Sequence, residues 1–167
     1  FNVMMFLAMA ACLVEPLTFY VDGKPGAASY WTNLLGNTYL YFANGLGSFL
    51  WCVYVDRSLY HDWGRIRRVY NKIAVGVAGI LLILVLNIWG GYFFYVDAEN
   101  VYHRQPLVNI FYIYMMLCCL LCIVVYQVYR HRYGRVAFFP IYMYLIPIVF
   151  GSILQMLFYG VSLAWLG

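Results

Sequence analysis

The sequence predicts an all-α, polytopic helix bundle that sits in a lipid bilayer. Three observations predict it. Of the 167 residues, 66% are hydrophobic and only 10% are charged, whereas a soluble domain is about a quarter charged. The apolar residues fall in five long runs, and the basic residues collect in alternate gaps between them. Mean hydropathy is +0.79, and a soluble chain of this length cannot hide that much apolar surface, because its surface-to-volume ratio forces polar residues outward.

A helix needs about 20 apolar residues to cross the hydrocarbon core. Five stretches meet that length: 2–20, 28–55, 73–96, 106–129 and 137–159. None alternates with the two-residue period of a barrel strand, so helices are the expected form. Neither a repeat nor a soluble segment interrupts them, so residues 1–167 read as a single transmembrane domain. The apolar run begins at once at Phe1, with no basic leader and no small-residue cleavage site. The front of the chain therefore reads as trimmed rather than as a signal peptide.

Orientation follows from Lys and Arg. The connections 56–72 and 130–136 hold Arg57, Arg65, Arg67, Arg68, Lys72, Arg130, Arg132 and Arg135, eight of the ten basic residues. Short loops rich in Lys and Arg stay cytoplasmic, which makes 56–72 and 130–136 inner loops. Connections 21–27 and 97–105, with only Lys24 and Arg104 beside Asp22, Asp97 and Glu99, then face outward. The net charge of +4 is thus membrane topology, not a nucleic-acid surface. Tyr20, Trp31, Trp51, Tyr54, Tyr95, Tyr129, Tyr159 and Trp165 fall near span ends, where aromatic rings meet headgroups.

The candidate site lies at the outer connections. Residues 97–105 carry Asp97, Glu99, Asn100, Tyr102, His103 and Arg104. A guanidinium can hold a carboxylate or phosphate in two-point contact, and the carboxylates can hold an amine. The same residues equally suit a hydrogen-bonded cap over the helix ends. Asp22 and Lys24 belong to the other outer turn, whose Gly and Pro supply its dihedrals. His103 is either a titrating sensor or a partner of a nearby loop group.

On the second span Tyr30, Asn33, Asn37, Tyr41, Asn44 and Ser48 recur at three- and four-residue steps, which puts them on one face. Gly151, Gln155 and Tyr159 do the same on the fifth. Polar groups in lipid point into the bundle, as a cavity lining or as hydrogen bonds between helices. Gly45, Gly47, Gly76 and Gly79 are expected to let helices approach closely. Glu15, followed by Pro16, is the only acid well inside an expected span.

The five cysteines, Cys12, Cys52, Cys118, Cys119 and Cys122, lie in apolar runs and read as packing rather than as a disulfide framework. His61 and His131 lie across the bilayer from His103, which leaves no metal or haem set. No lysine sits in mid-helix for a retinal, and no nucleophile–base pair is present. The segment reads as non-enzymatic, without cofactor or metal.

The stretches Asp22-Gly23-Lys24-Pro25-Gly26, Tyr95-Val96-Asp97-Ala98-Glu99-Asn100-Val101-Tyr102-His103-Arg104-Gln105-Pro106, and Pro147 leading to Leu154-Gln155-Met156-Leu157-Phe158-Tyr159-Gly160-Val161-Ser162 resemble one family. It is the multi-helix membrane sensor region at the amino end of bacterial GGDEF diguanylate cyclases and some histidine kinases. The resemblance runs through nearly the whole chain; Gln105 departs from it, standing where the family usually has Gly. It implies a seven-helix input region in a bacterial cytoplasmic membrane, with one helix before and one after this segment. It also implies a cytoplasmic output domain and homodimerisation through the full-length protein.

The expected function is a sensor that binds an unidentified external or membrane-borne small molecule through Asp97, Glu99, Asn100, Tyr102, His103 and Arg104, with Asn33, Asn37 and Gln155 beneath. Two rivals stand beside it. One is a transporter or channel part, to which Glu15-Pro16 and Asn37 point. The other is a passive anchor or dimerisation module.

Overall fold

A computed structural model of the chain describes residues 1–134 and Phe150. The fifth expected span, with Gln155, lies outside the described residues. Among residues 1–134, four helices and one short hairpin run in the order α1 (Asn2–Val21), α2 (Ala27–Tyr60), α3 (Trp63–Gly90), β1 (Phe94–Val96), β2 (Tyr102–Arg104) and α4 (Val108–Tyr133). The protein is mostly helical, as the sequence predicts, with one short hairpin that the sequence reads as the end of a span and a loop.

Among the described residues, three helices are long and apolar enough to cross a membrane: α1, α3 and α4. This fits a membrane protein. Large apolar residues are exposed on each of them, with Met9 and Leu13 on α1, Val75 and Leu82 on α3, and Ile113 and Leu120 on α4. Five spans are not supported. α2 has ample length, 34 residues or about 51 Å at 1.5 Å per residue, but is too polar to meet the same test.

The reason lies in where α2 sits. It packs against α1, α3 and α4 and supplies residues to all three hydrophobic clusters. Leu34 and Tyr41 join Leu84, Phe94 and Phe111 at the hairpin end. Cys52, Val55 and Leu59 join Ile66, Tyr70, Cys122 and Val125 at the opposite end. Ala43 meets Leu7 and Ala11 of α1. A central helix contacts protein on several sides, so its polar residues find partners there.

Helix ends are set by local chemistry. Pro16 lies inside α1, where it lacks the N–H of a helical bond, yet the helix runs on to Val21. His61, in the left-handed region at φ 54, closes α2 by donating its N–H to Arg57 O. Asp62 then caps α3, its carboxylate accepting from Gly64 N at 2.7 Å. Residues 56–72 are therefore not a loop, and only His61 and Asp62 separate α2 from α3. The Arg, Leu and Tyr residues of that stretch are acceptable helix formers, and charge alone does not end a helix.

The third helix stops at Gly90 rather than at residue 96, because Gly91 adopts a left-handed cap at φ 61. The β-prone Phe94, Tyr95 and Val96 then form a strand. β1 and β2 pair antiparallel, with Phe94 opposite Arg104, Tyr95 opposite His103 and Val96 opposite Tyr102.

Of the glycines expected at helix contacts, Gly45 is one: a Cβ there would stand 3.0 Å from the Phe111 ring. Gly47, Gly76 and Gly79 face open space, which corrects the expectation for them. α1 and α2 approach closely at Gly36, where a Cβ would collide with Thr18 Cγ2 of α1.

Candidate functional site

The chain leaving α3 is anchored before it turns. Asn87, 1% exposed, accepts from Phe93 N at 2.6 Å and donates to Phe94 O at 3.0 Å. This fixes β1 over the ends of the helices. The hairpin turn closes through Asp97, whose N–H donates to Val101 O at 3.1 Å and whose Oδ1 accepts from Val101 N at 2.8 Å. Asn100 holds φ at 62, a left-handed conformation that Asn tolerates better than most residues.

That turn docks on α1 and α2 through a three-residue knot. Asn100 Nδ2 donates to Val21 O at 2.7 Å and Lys24 O at 2.9 Å, and Asn100 O accepts from Gly23 N at 2.8 Å. Asn33 Nδ2 donates to Asp22 Oδ1 at 2.8 Å and to Asn100 O at 3.1 Å. Asp22 Oδ1 also accepts from Tyr102 N at 2.9 Å. One helix turn further, Asn37 Nδ2 donates to Asn33 Oδ1 at 2.7 Å. Asn33 and Asn100 are 1% and 3% exposed, and the bond between them is buried, where leaving it unmade is costly.

Beside the knot, the Tyr41 and Tyr102 hydroxyls lie 2.7 Å apart. Burial pushes the Tyr102 phenol up to about 12. Burial also pulls the Arg104 guanidinium down, but the phenols of Tyr112, Tyr41 and Tyr102 around it carry it above the ordinary arginine value. On the outer face of the hairpin His103 Nε2 lies 2.6 Å from Asp97 Oδ2 and stacks on Tyr95, ring centroids 5.0 Å apart. The Val101 N–H and then the His103 ring hold the Asp97 carboxyl below its usual range.

The expected site residues thus divide. Asp22, Asn33, Asn37, Asn100 and Tyr102 form one connected network. Asp97 and His103 form a pair on the hairpin, and Arg104 stands among tyrosines. Glu99 is exposed at the turn, and Lys24 Nζ lies over the Tyr20 ring at 3.0 Å from its centroid. The amides and Asp22 spend their bonds on one another and on backbone, which is the work of a cap joining three chain segments.

A second polar cluster escaped the sequence reading. Asp56, fully buried on α2, accepts from Arg65 Nε at 2.9 Å and from Tyr70 Oη at 3.3 Å. Tyr70 Oη also lies 3.2 Å from Cys52 O, one turn earlier on α2. Glu15 is therefore not the only acid inside a helix. The signal was present: Cys52, Val55, Asp56 and Leu59 fall at three- and four-residue steps, a helical face running straight through the expected loop. Tyr60 meets Tyr129 and Tyr133 of α4. Arg67, Arg68, Arg130 and Arg132, all exposed, thus share this end of the bundle.

No family model, curated protein or solved structure matches this chain. Among the described residues, no three His, Cys, Asp or Glu side chains converge to hold a metal ion.

Proposed function

We propose that the chain is the membrane-embedded input module of a bacterial signalling receptor. In this reading it passes a signal from the hairpin side of the membrane to an output domain on the basic side. The resemblance to sensor regions of GGDEF cyclases and histidine kinases supports it, and so does the collection of exposed arginines at one end, the pattern expected of a cytoplasmic face.

The observation that carries the proposal is the layout of α2. Asn33 ties the outer hairpin to α2, and Asp56 ties α2 to α3. The two are 23 positions apart, about 34 Å along a helix, close to the roughly 30 Å hydrocarbon thickness. One rigid, centrally packed helix thus joins a polar knot at one interface to an ion pair at the other. On this reading α2 is a further span whose polar residues turn inward. A ligand at the hairpin that binds two packings of α2 unequally would shift the ion-pair end with it.

The test uses the full-length protein in membranes, reading cyclic dinucleotide formation or autophosphorylation. Asn33→Ala and Asp56→Asn should each change output at equal membrane abundance. If all spans can be exchanged for an unrelated anchor with regulation intact, the input reading fails and the passive anchor takes its place.

A further inference from the structure

Cys52 on α2 and Cys122 on α4 come from chain segments 70 residues apart, yet their sulfurs lie 3.5 Å from each other. Both are buried, 2% and 1% exposed. Cys52 Sγ also donates to Cys118 O at 3.2 Å, which holds it against α4. Val55, Val125 and Tyr70 belong to the same cluster, so the two thiols face each other inside an apolar wall. A disulfide needs the sulfurs at about 2.05 Å. The remaining approach is about 1.5 Å, which rotation about the two χ1 angles would have to supply.

We propose that Cys52 and Cys122 form an oxidisable dithiol that closes to an α2–α4 disulfide when an apolar organic hydroperoxide enters the bundle. The first sulfur attacks the distal peroxide oxygen and the O–O bond breaks. The thiol proton goes to the departing alkoxide, which leaves as an alcohol, and the sulfur becomes a sulfenic acid. The second sulfur attacks that sulfenic sulfur, the S–S bond forms and the S–O bond breaks, and hydroxyl leaves as water with the second thiol's proton. Two thiols lose two electrons in total, and one hydroperoxide gains them.

The environment sorts the two steps. A buried thiol is a weak nucleophile, so the first step is slow and selects an oxidant that dissolves in the apolar region. The second step joins groups already in contact, which removes the entropic cost of meeting and stops the sulfenic acid from oxidising further. Cys12, exposed on α1, is the built-in contrast: it marks whether the oxidant arrived. Because Tyr70 Oη bonds both Cys52 O and Asp56 Oδ2, the crosslink would fix α2 to α4 one turn from the Asp56–Arg65 pair. The proposal stands whether or not the chain is a sensor.

The experiment treats the protein in lipid nanodiscs with cumene hydroperoxide, unfolds it in detergent, alkylates free thiols and maps peptides by mass spectrometry. A peptide pair joined through Cys52 and Cys122, lighter by two hydrogens, is expected in the wild type and in Cys119→Ser. It should be missing from Cys52→Ser and Cys122→Ser. If Cys12 is oxidised while Cys52 and Cys122 are recovered alkylated on separate peptides, the proposal is overturned. Joining of Cys52 to Cys118 or Cys119 instead overturns it too. The wild-type map decides the matter even if a serine variant does not fold.

Discussion

Asp56 and Arg65 face each other across the α2–α3 turn, with Arg65 Nε 2.9 Å from a carboxylate oxygen that has no solvent exposure. The arginine side chain is 34% exposed, so the two partners are unequal. Arg65 can reach water if the pair breaks, and Asp56 cannot.

That asymmetry sets the first prediction. Arg65→Ala strands a buried carboxylate and should destabilise the protein by about 3–5 kcal/mol. Arg65→Lys keeps the charge but loses the fork that meets both oxygens, and should fall between. Adding Asp56→Asn to Arg65→Ala should recover part of the loss, since an amide is far less costly to bury than a lone charge. Thermal unfolding in nanodiscs reads all three; a double variant no better than Arg65→Ala alone contradicts the account.

The hairpin knot can be tested at Asn100, where side chain and backbone both matter. Asn100→Gly keeps the left-handed φ and loses the bonds its side chain donates to Val21 O and Lys24 O and the one it accepts from Asn33 Nδ2, at about 1–3 kcal/mol. Asn100→Ala also carries the strain of φ 62, which adds about 1–2 kcal/mol. The expected order of stability is wild type, then Gly, then Ala. Amide exchange at Gly23, whose N–H donates to Asn100 O, should rise in the same order.

Acid should loosen the hairpin turn through Asp97. Its folded pKa is held below the 3.8 of an ordinary aspartate by Val101 N–H first and His103 second. A depressed carboxyl contributes stability that is present above its unfolded pKa and is lost as pH falls through the folded one. Exchange of the Val101 amide, corrected for intrinsic rate, should therefore be flat above about pH 5 and increase below 3.8. In Asp97→Asn this acid-dependent increase should vanish.

Glycines on the same helix should respond in opposite ways. Gly36→Ala drives a methyl into Thr18 Cγ2 and should cost about 1–3 kcal/mol as overpacking. Thr18→Ser, which removes that methyl, should relieve most of it. Gly47→Ala meets nothing within 4 Å and should be neutral or stabilising by up to about 1 kcal/mol, the helix preference for Ala over Gly. Equal losses at Gly36 and Gly47 would refute the proposed α1–α2 contact.

The sequence by itself determined the apolar, helical character of the chain and the position of its polar outer segment, because hydropathy and helical period are local properties summed over about 20 residues. It located residues 97–105 as the densest polar segment, and the stripe through Asn33, Asn37 and Tyr41. Only the tertiary structure decided which partners those groups take. Asn100 bonds to carbonyls 76 and 79 positions away, and Asp56 is a buried helix residue rather than part of a basic loop. The helix ends at Tyr60 and Gly90 were hidden for a related reason. Charge and hydropathy mark the water boundary, whereas a helix ends where its last carbonyls and next N–H groups find caps. Once α2 is enclosed by α1, α3 and α4, its polarity no longer reports exposure, since a protein neighbour satisfies the same groups that water would.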